Sequence, residues 1–316
     1  MNPKIFPAMF MNKRKLGLVF CCLLSVCLII NLSVVHGKPR FSIVATTSML
    51  GDALQNIVGD SATVVTLMGP GIDPHVYKVS PRDISSLSQA NIIFYNGLHL
   101  EGKMADVLHH LSKRKPVYAA SQGIDPSQYL GDPHFAAGVD PHIWFDVLLW
   151  KQAVTYMSLQ LQAIDSLAAP YYQGNTATYL KQLDELHATT QEAIQQINQS
   201  QRVLITAHDA FGYFGRAYDI AVRGLQGIST VEECGLRDII NLVDFIMERK
   251  IKAIFPESSV ADKPLRAVVQ ACKQKGHQVM LGQQLYSDAL GQAGTWEGTY
   301  IGMMSSNVQI IVNALQ

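Results

Sequence analysis

Twice along the chain, short apolar runs rich in Val and Ile alternate with stretches whose apolar residues recur at helical spacing, and one long helical pattern separates the two blocks. The first block begins with FSIVAT at residues 41–46, followed by a helical pattern through Met49, Leu50, Ala53, Leu54, Ile57 and Val58. It continues through ATVVTLM, a helix opening near Pro81, the strand NIIFYNG, the helix EGKMADVLHHL and the strand PVYAA. The second runs from RVLITAH at 202–208 through the helix CGLRDIINLVDFIMERK, the strand IKAIFP, a helix over Lys263–Lys275, the strand HQVML and a terminal helix over Gly298–Ala314. Such alternation predicts α/β lobes with mainly parallel sheets, whose ligands gather at the carboxyl ends of the strands. Between the blocks, Pro170 punctuates the chain, and Leu180, Leu183, Leu186, Ala193, Ile194 and Ile197 share one face of a helix of about six turns. The expectation is two similar lobes, residues 38–170 and 201–316, joined by a long helix over 171–200, with a cleft between them.

Residues 1–37 read as an export signal. Lys4, Lys13, Arg14 and Lys15 meet no acid there, Leu16 to Val35 is uncharged and apolar, and V-H-G at 35–37 is an acceptable cleavage pattern. Retention as a membrane anchor is the alternative, because the apolar run reaches the lower end of spanning length. LSVC, ending at Cys27, is a weak lipidation signal, since Val26 is bulky and the apolar run continues beyond it. Lys+Arg and Asp+Glu each number 25 overall, so removing the head leaves 21 bases against 25 acids. That mild acidity argues against a nucleic-acid partner. Three of the five cysteines lie in the head; Cys234 and Cys272 remain, either bridged or as two small buried side chains, and no C-x-x-C supports redox or zinc-ribbon chemistry.

Among ten histidines, His75 in GIDPH, His142 in GVDPH and His208 in VLITAH each stand where an apolar segment gives way to a polar turn. Proline fixes the backbone immediately before the first two imidazoles, which limits the wandering of a ligand. Asp288 in LYSDALG falls at the equivalent edge of the second block. Together the four offer a site for divalent zinc, manganese or iron, two ligands from each lobe; taken singly, each also reads as an ordinary loop or strand-end residue. His134 repeats the D-P-H tripeptide eight residues before His142 and is expected to be a loop residue or a transient contact. Surface roles are expected for His99, His109 and His110, while His36 lies in the head, His187 in the connecting helix and His277 before a strand. Glu257 in IFPESS reads as an acceptor behind a ligand, a fifth oxygen donor, the partner of Arg223 or an ordinary strand-end acid.

GPGIDPHVYKVSPRD, NGLHLEGKM, DPHIWFDVLLW, TAHDAFGYFGRAY, VRGLQGIST, IFPESSV, LYSDALGQAG and EGTYIGM resemble the metal-binding lipoproteins and periplasmic proteins that serve manganese, zinc and iron ABC importers. The resemblance covers essentially everything after the head. It implies a C-clamp of two α/β lobes joined by one rigid helix, with His75, His142, His208 and Asp288 as the ligands of one metal ion. Several manganese-specific members carry Glu in an S-E-G-A-F pattern where this chain has His208, and dedicated zinc-binding members carry a long His- and acid-rich loop that this chain lacks. Three imidazoles and a carboxylate favour zinc over manganese on donor chemistry alone. The resemblance thus implies capture of Zn2+ or Mn2+, with Fe2+ a third cargo, and handover by a monomer to a cognate membrane permease. No GxxxxGK[ST] is present, so ATP hydrolysis would fall to a separate cytoplasmic ATPase. The competing readings are a secreted zinc hydrolase with Glu257 as base and a metal-responsive adhesion or scaffold protein. A serine triad has less support, because Ser48, Ser258 and Ser259 lack a G-x-S-x-G elbow.

Overall fold

The structure, a computed structural model, describes residues 41–131, 138–231 and 234–316; the export segment and His134 lie outside the described residues. Strands β1 (Ser42–Ala45), β2 (Thr63–Thr66), β3 (Ile92–Tyr95) and β4 (Val117–Ala119) form a parallel sheet in the order β2-β1-β3-β4. Ile43, Val44 and Ala45 of β1 and Ile92, Ile93 and Phe94 of β3 are wholly buried, as befits central strands covered on both faces. The intervening helices are α1 (Ser48–Val58), α2 (Pro81–Gln89) and α3 (Ala105–Ser112). Their starts are written locally. Thr47 caps α1, and Ser80 and Asp83 form a reciprocal capping box on α2, with Pro81 in its first turn.

A pair of long helices follows, α4 (Val147–Ile164) and α5 (Ala169–Gln195). Asp146 caps α4, accepting from the backbone of Leu148 and Leu149. Pro170 opens α5 rather than interrupting it, because a first-turn residue has no helical partner for the missing N–H. The 27 residues of α5 make a rod of about 40 Å.

The second sheet repeats the first. Strands β5 (Val203–His208) and β6 (Ala221–Gln226) pair in parallel, as do β7 (Ala253–Ile254) and β8 (Met280–Leu281). A parallel bridge from Thr206 to Phe255 joins the pairs, giving the order β6-β5-β7-β8 and hence the same spatial sequence as the first sheet. Helices α6 (Gly212–Tyr218), α7 (Leu236–Arg249) and α8 (Lys263–Gln274) complete this half. The last helix, α9 (Tyr300–Leu315), returns to α5, and its Tyr300, Met303 and Met304 share one core with Ile43, Trp144 and Leu183. Gly302 is required at that return, since a Cβ there would lie 1.7 Å from the Trp296 carbonyl oxygen. A separate core behind the second sheet holds Ile205, Leu242, Ile246, Leu265 and Val268. Cys272 is sealed within it and Cys234 lies at its edge, both as free thiols. Among the described residues no helix is long and apolar enough to cross a membrane.

One carboxylate ties three of these helices together. Asp52 of α1 accepts from the Tyr179 hydroxyl of α5 at 3.3 Å and from the Tyr300 backbone N–H at the start of α9 at 3.1 Å. Removal from water outweighs both hydrogen bonds and pushes its pKa up to about 6. A carboxyl raised on folding takes up a proton as the chain folds, so its contribution is greatest below pH 4 and is lost as the pH rises through 6. Asp52→Asn should therefore stabilise the metal-free protein at pH 7 to 8, by at most about 3 kcal/mol, with the gain vanishing near pH 4. Urea unfolding of both proteins in chelator across that range checks this; an equal gain at every pH would assign the effect to packing instead.

Candidate metal centre

Each predicted ligand stands at or beyond the carboxyl end of a strand. His75 lies on the loop after β2, His142 on the long connection from β4 to α4, His208 is the last residue of β5, and Asp288 follows β8. The two D-P-H tripeptides fold alike: the His75 N–H donates to Asp73 Oδ1 at 2.9 Å, and the His142 N–H donates to Asp140 Oδ1 at 2.9 Å. These are Asx turns, in which a side chain two residues back replaces a backbone acceptor and sets the entry angle of the residue it holds. Asp140 Oδ1 also lies 2.7 Å from His142 Nδ1, which directs Nε2 inward. At His208 the same service comes from another strand end: Glu257 Oε2 lies 2.6 Å from Nδ1, while Oε1 accepts from the His208 backbone N–H at 2.8 Å.

One donor atom from each of the four residues converges within 4.8 Å of the others. His75 Nε2 is 3.3 Å from His142 Nε2, His142 Nε2 is 3.5 Å from Asp288 Oδ1, and His208 Nε2 is 3.3 Å from Asp288 Oδ2. Donors placed tetrahedrally at bond lengths of about 2.0–2.1 Å stand about 3.3–3.4 Å apart, so these three spacings suit ligands of one ion, with His142 and His208 facing different oxygens of Asp288. His142 and His208 are completely buried, Asp288 is 2% exposed and His75 4%. Among the described residues, the buried His208 Nε2 and Asp288 Oδ1 find no partner beyond the 3.3 and 3.5 Å contacts within the cluster itself, a costly arrangement that a bound cation relieves.

The electrostatics divide the imidazoles. Burial, helped by the two neighbouring histidines, overcomes the pull of Asp288 and holds His75 down at about 3. Burial also opposes a charge on His142, but Asp140 and Asp288 prevail and hold it up at about 9. His208 is raised well above its ordinary value because Glu257 and Asp288 outweigh the same burial. Asp288 stays well below the usual carboxylate range: burial alone would raise it, and His208 and His142 reverse that.

The other singled-out residues stand apart from this cluster or behind it. Glu257 sits behind His208, while Arg223 lies over the ring of Phe245, 4.4 Å from its centroid. His99 adopts left-handed backbone in the NGLHLEG loop, which buried Glu101 holds by accepting from the Thr46 hydroxyl and the Asn96 N–H. His109 and His110 are exposed on α3, His187 meets the Tyr218 hydroxyl and His277 the Ile251 carbonyl. Ser48 accepts from the Leu290 backbone, and Ser259 donates to Asp288 at 3.3 Å. Asp73 and Asp140 escaped the reading of the sequence, although the first letter of each D-P-H tripeptide is the standard Asx-turn signal.

Two lobes of like topology with a buried His3Asp cluster at the strand ends define a solute-binding protein for a metal ion. Residues 43–314 match the family described as "Zinc-uptake complex component A periplasmic" (ZnuA), and the chain belongs to that family. It is similar to the zinc-binding protein TroA of Treponema pallidum, with 43% identity over 279 residues that cover 88% of this chain and 90% of the relative. The solved TroA structure superposes with a TM-score of 0.85 over 88% of this chain and 99% of that one. The manganese-binding lipoprotein MntA of Bacillus subtilis is 44% identical over 277 residues, 88% of this chain and 90% of the relative. Fe(III)-bound YtgA of Chlamydia trachomatis superposes with a TM-score of 0.78 at 25% identity, over 87% of this chain and 98% of that one. The protein is thus the periplasmic metal-binding component of an ABC-type importer, and not a hydrolase or another enzyme.

Proposed function

We propose that His75, His142, His208 and Asp288 together bind one Zn2+ or Mn2+ ion, with Fe2+ a third cargo, and that the protein surrenders it to a cognate membrane permease. The observation that carries this reading is the convergence of four buried residues, each placing a donor atom within 4.8 Å of the others. In this scheme residues 38–170 and 201–316 act as the lobes, 171–200 as the rigid connector, and residues 1–37 export the chain and are cleaved or kept as an anchor. The protein works as a monomer without nucleic acid, and a separate cytoplasmic ATPase drives transport. The names of TroA and MntA point to different metals, so cargo identity rests on this chain's own donors. Three nitrogens and one carboxylate favour zinc at equilibrium.

The test is competition of metal-free protein for buffered Zn2+, Mn2+ and anaerobic Fe2+, paired with capture of the permease from membranes. One ion per chain and metal-dependent capture are expected; metal-dependent turnover without permease binding would overturn the reading. His208→Glu should lower the zinc-to-manganese affinity ratio, because it substitutes a harder oxygen donor for imidazole. An unchanged ratio in a folded variant removes donor type at this position as the determinant of cargo.

A further inference from the structure

The two Asx turns of the metal centre differ in one respect. Asp140 spends its Oδ1 on the backbone and ring of His142, so it serves one ligand alone. Asp73 uses Oδ1 for the His75 backbone and turns Oδ2 toward the other half of the protein, where it accepts from the Thr230 hydroxyl at 2.5 Å. Thr230 lies on the loop after β6 and Asp73 on the loop after β2, and β2 and β6 occupy the same edge position in their respective sheets. A single carboxylate therefore holds a ligand's backbone and bridges the matching loops of the two halves.

A second approach in the same place supports this. Gly71, with φ of +69°, sets the β2 loop against the loop after β7, where an added Cβ would meet the Ser258 carbonyl oxygen at an ordinary contact distance of 3.4 Å. His75, the ligand on this loop, is the most exposed of the four. Among the described residues no carboxylate pairs with its ring as Asp140 does with His142 and Glu257 with His208, so its placement depends on the loop.

We propose that the Asp73–Thr230 hydrogen bond is the clasp that controls metal release, and that these two are positioning residues acting through His75. The inference rests on the reading that the four clustered residues bind the cargo. Breaking the clasp frees the β2 loop and takes His75 away first, while His142, His208 and Asp288 keep their own supports. The effect falls on the rate of dissociation, because the clasp forms only when the halves have met.

Zinc-loaded wild-type protein, Thr230→Val, Thr230→Ala and Thr230→Ser, each mixed with excess chromogenic chelator in a stopped-flow instrument, test the clasp. All four should carry one ion and take it up at the same rate. Valine and alanine should release it about tenfold faster, the size expected when a hydrogen bond to a charged acceptor is lost, and serine should restore the wild-type rate. Wild-type release from Thr230→Val and Thr230→Ala, or release from Thr230→Ser as fast as theirs, overturns the clasp while metal capture stands. A wild-type protein that takes up no ion overturns metal capture and the clasp with it.

Discussion

Alanine in place of His75, His142 or His208, or asparagine in place of Asp288, is expected to weaken metal binding at least about a hundredfold. Four-ligand zinc sites in small peptides are worth about 10–16 kcal/mol, so an average ligand carries about 3 kcal/mol. The His142 variant should also be less stable without metal, because Asp140 loses the ring it supports and keeps only the backbone N–H at this position. Asp288→Asn preserves shape and removes charge from a carboxylate set between His142 and His208. His109→Ala, on an exposed turn of α3, is the matched control and should bind like the wild type. Calorimetry against a competing chelator gives the affinities. Unchanged binding in any one of the four variants would remove that residue from the ligand set.

Metal affinity should rise about a hundredfold for each pH unit through the neutral range, with two protons released per ion bound. The sign follows from which groups hold protons before the metal arrives. His142, held up at about 9, and His208, raised well above its ordinary value, are both protonated at pH 7, and a metal must displace each proton from Nε2. His75, held down at about 3, and Asp288, held well below the carboxylate range, are already deprotonated and contribute none. Calorimetric titration in buffers of different ionisation enthalpy reads the proton count directly. A count near zero at pH 7 would mean that Asp140 and Glu257 do not hold these imidazoles charged. Unperturbed imidazoles would place the onset of acid release at about pH 6 to 7, whereas the buried carboxylates move it upward into the neutral range.

Local chemistry made much of the architecture readable in advance. The apolar runs that became β1, β3 and β5 are unbroken because both faces of a central strand are covered, and the Thr47, Ser80 and Asp146 caps are written within a few residues of the helices they start. Helix α4 gave a weaker signal: Val147, Leu149, Trp150, Ala153, Val154, Met157 and Leu161 are all buried, but Leu148 and Leu159 on its outer side are exposed, and apolar residues on both faces blur the helical period. Strand β6 carries Arg223 and Gly224 and stands at a sheet edge, where alternation is not enforced. The four clustered residues were legible as types at strand ends, since the alternation of elements already sends such ends toward one cleft. What each of them leans on was decided only in three dimensions. Asp140 reaches His142 across two residues, but Glu257 reaches His208 across 49 and Thr230 reaches Asp73 across 157. Periodicity and turn chemistry report neighbours along the chain, whereas the charges of the imidazoles and the bond between the two loops depend on groups that only the packing of two sheets brings together.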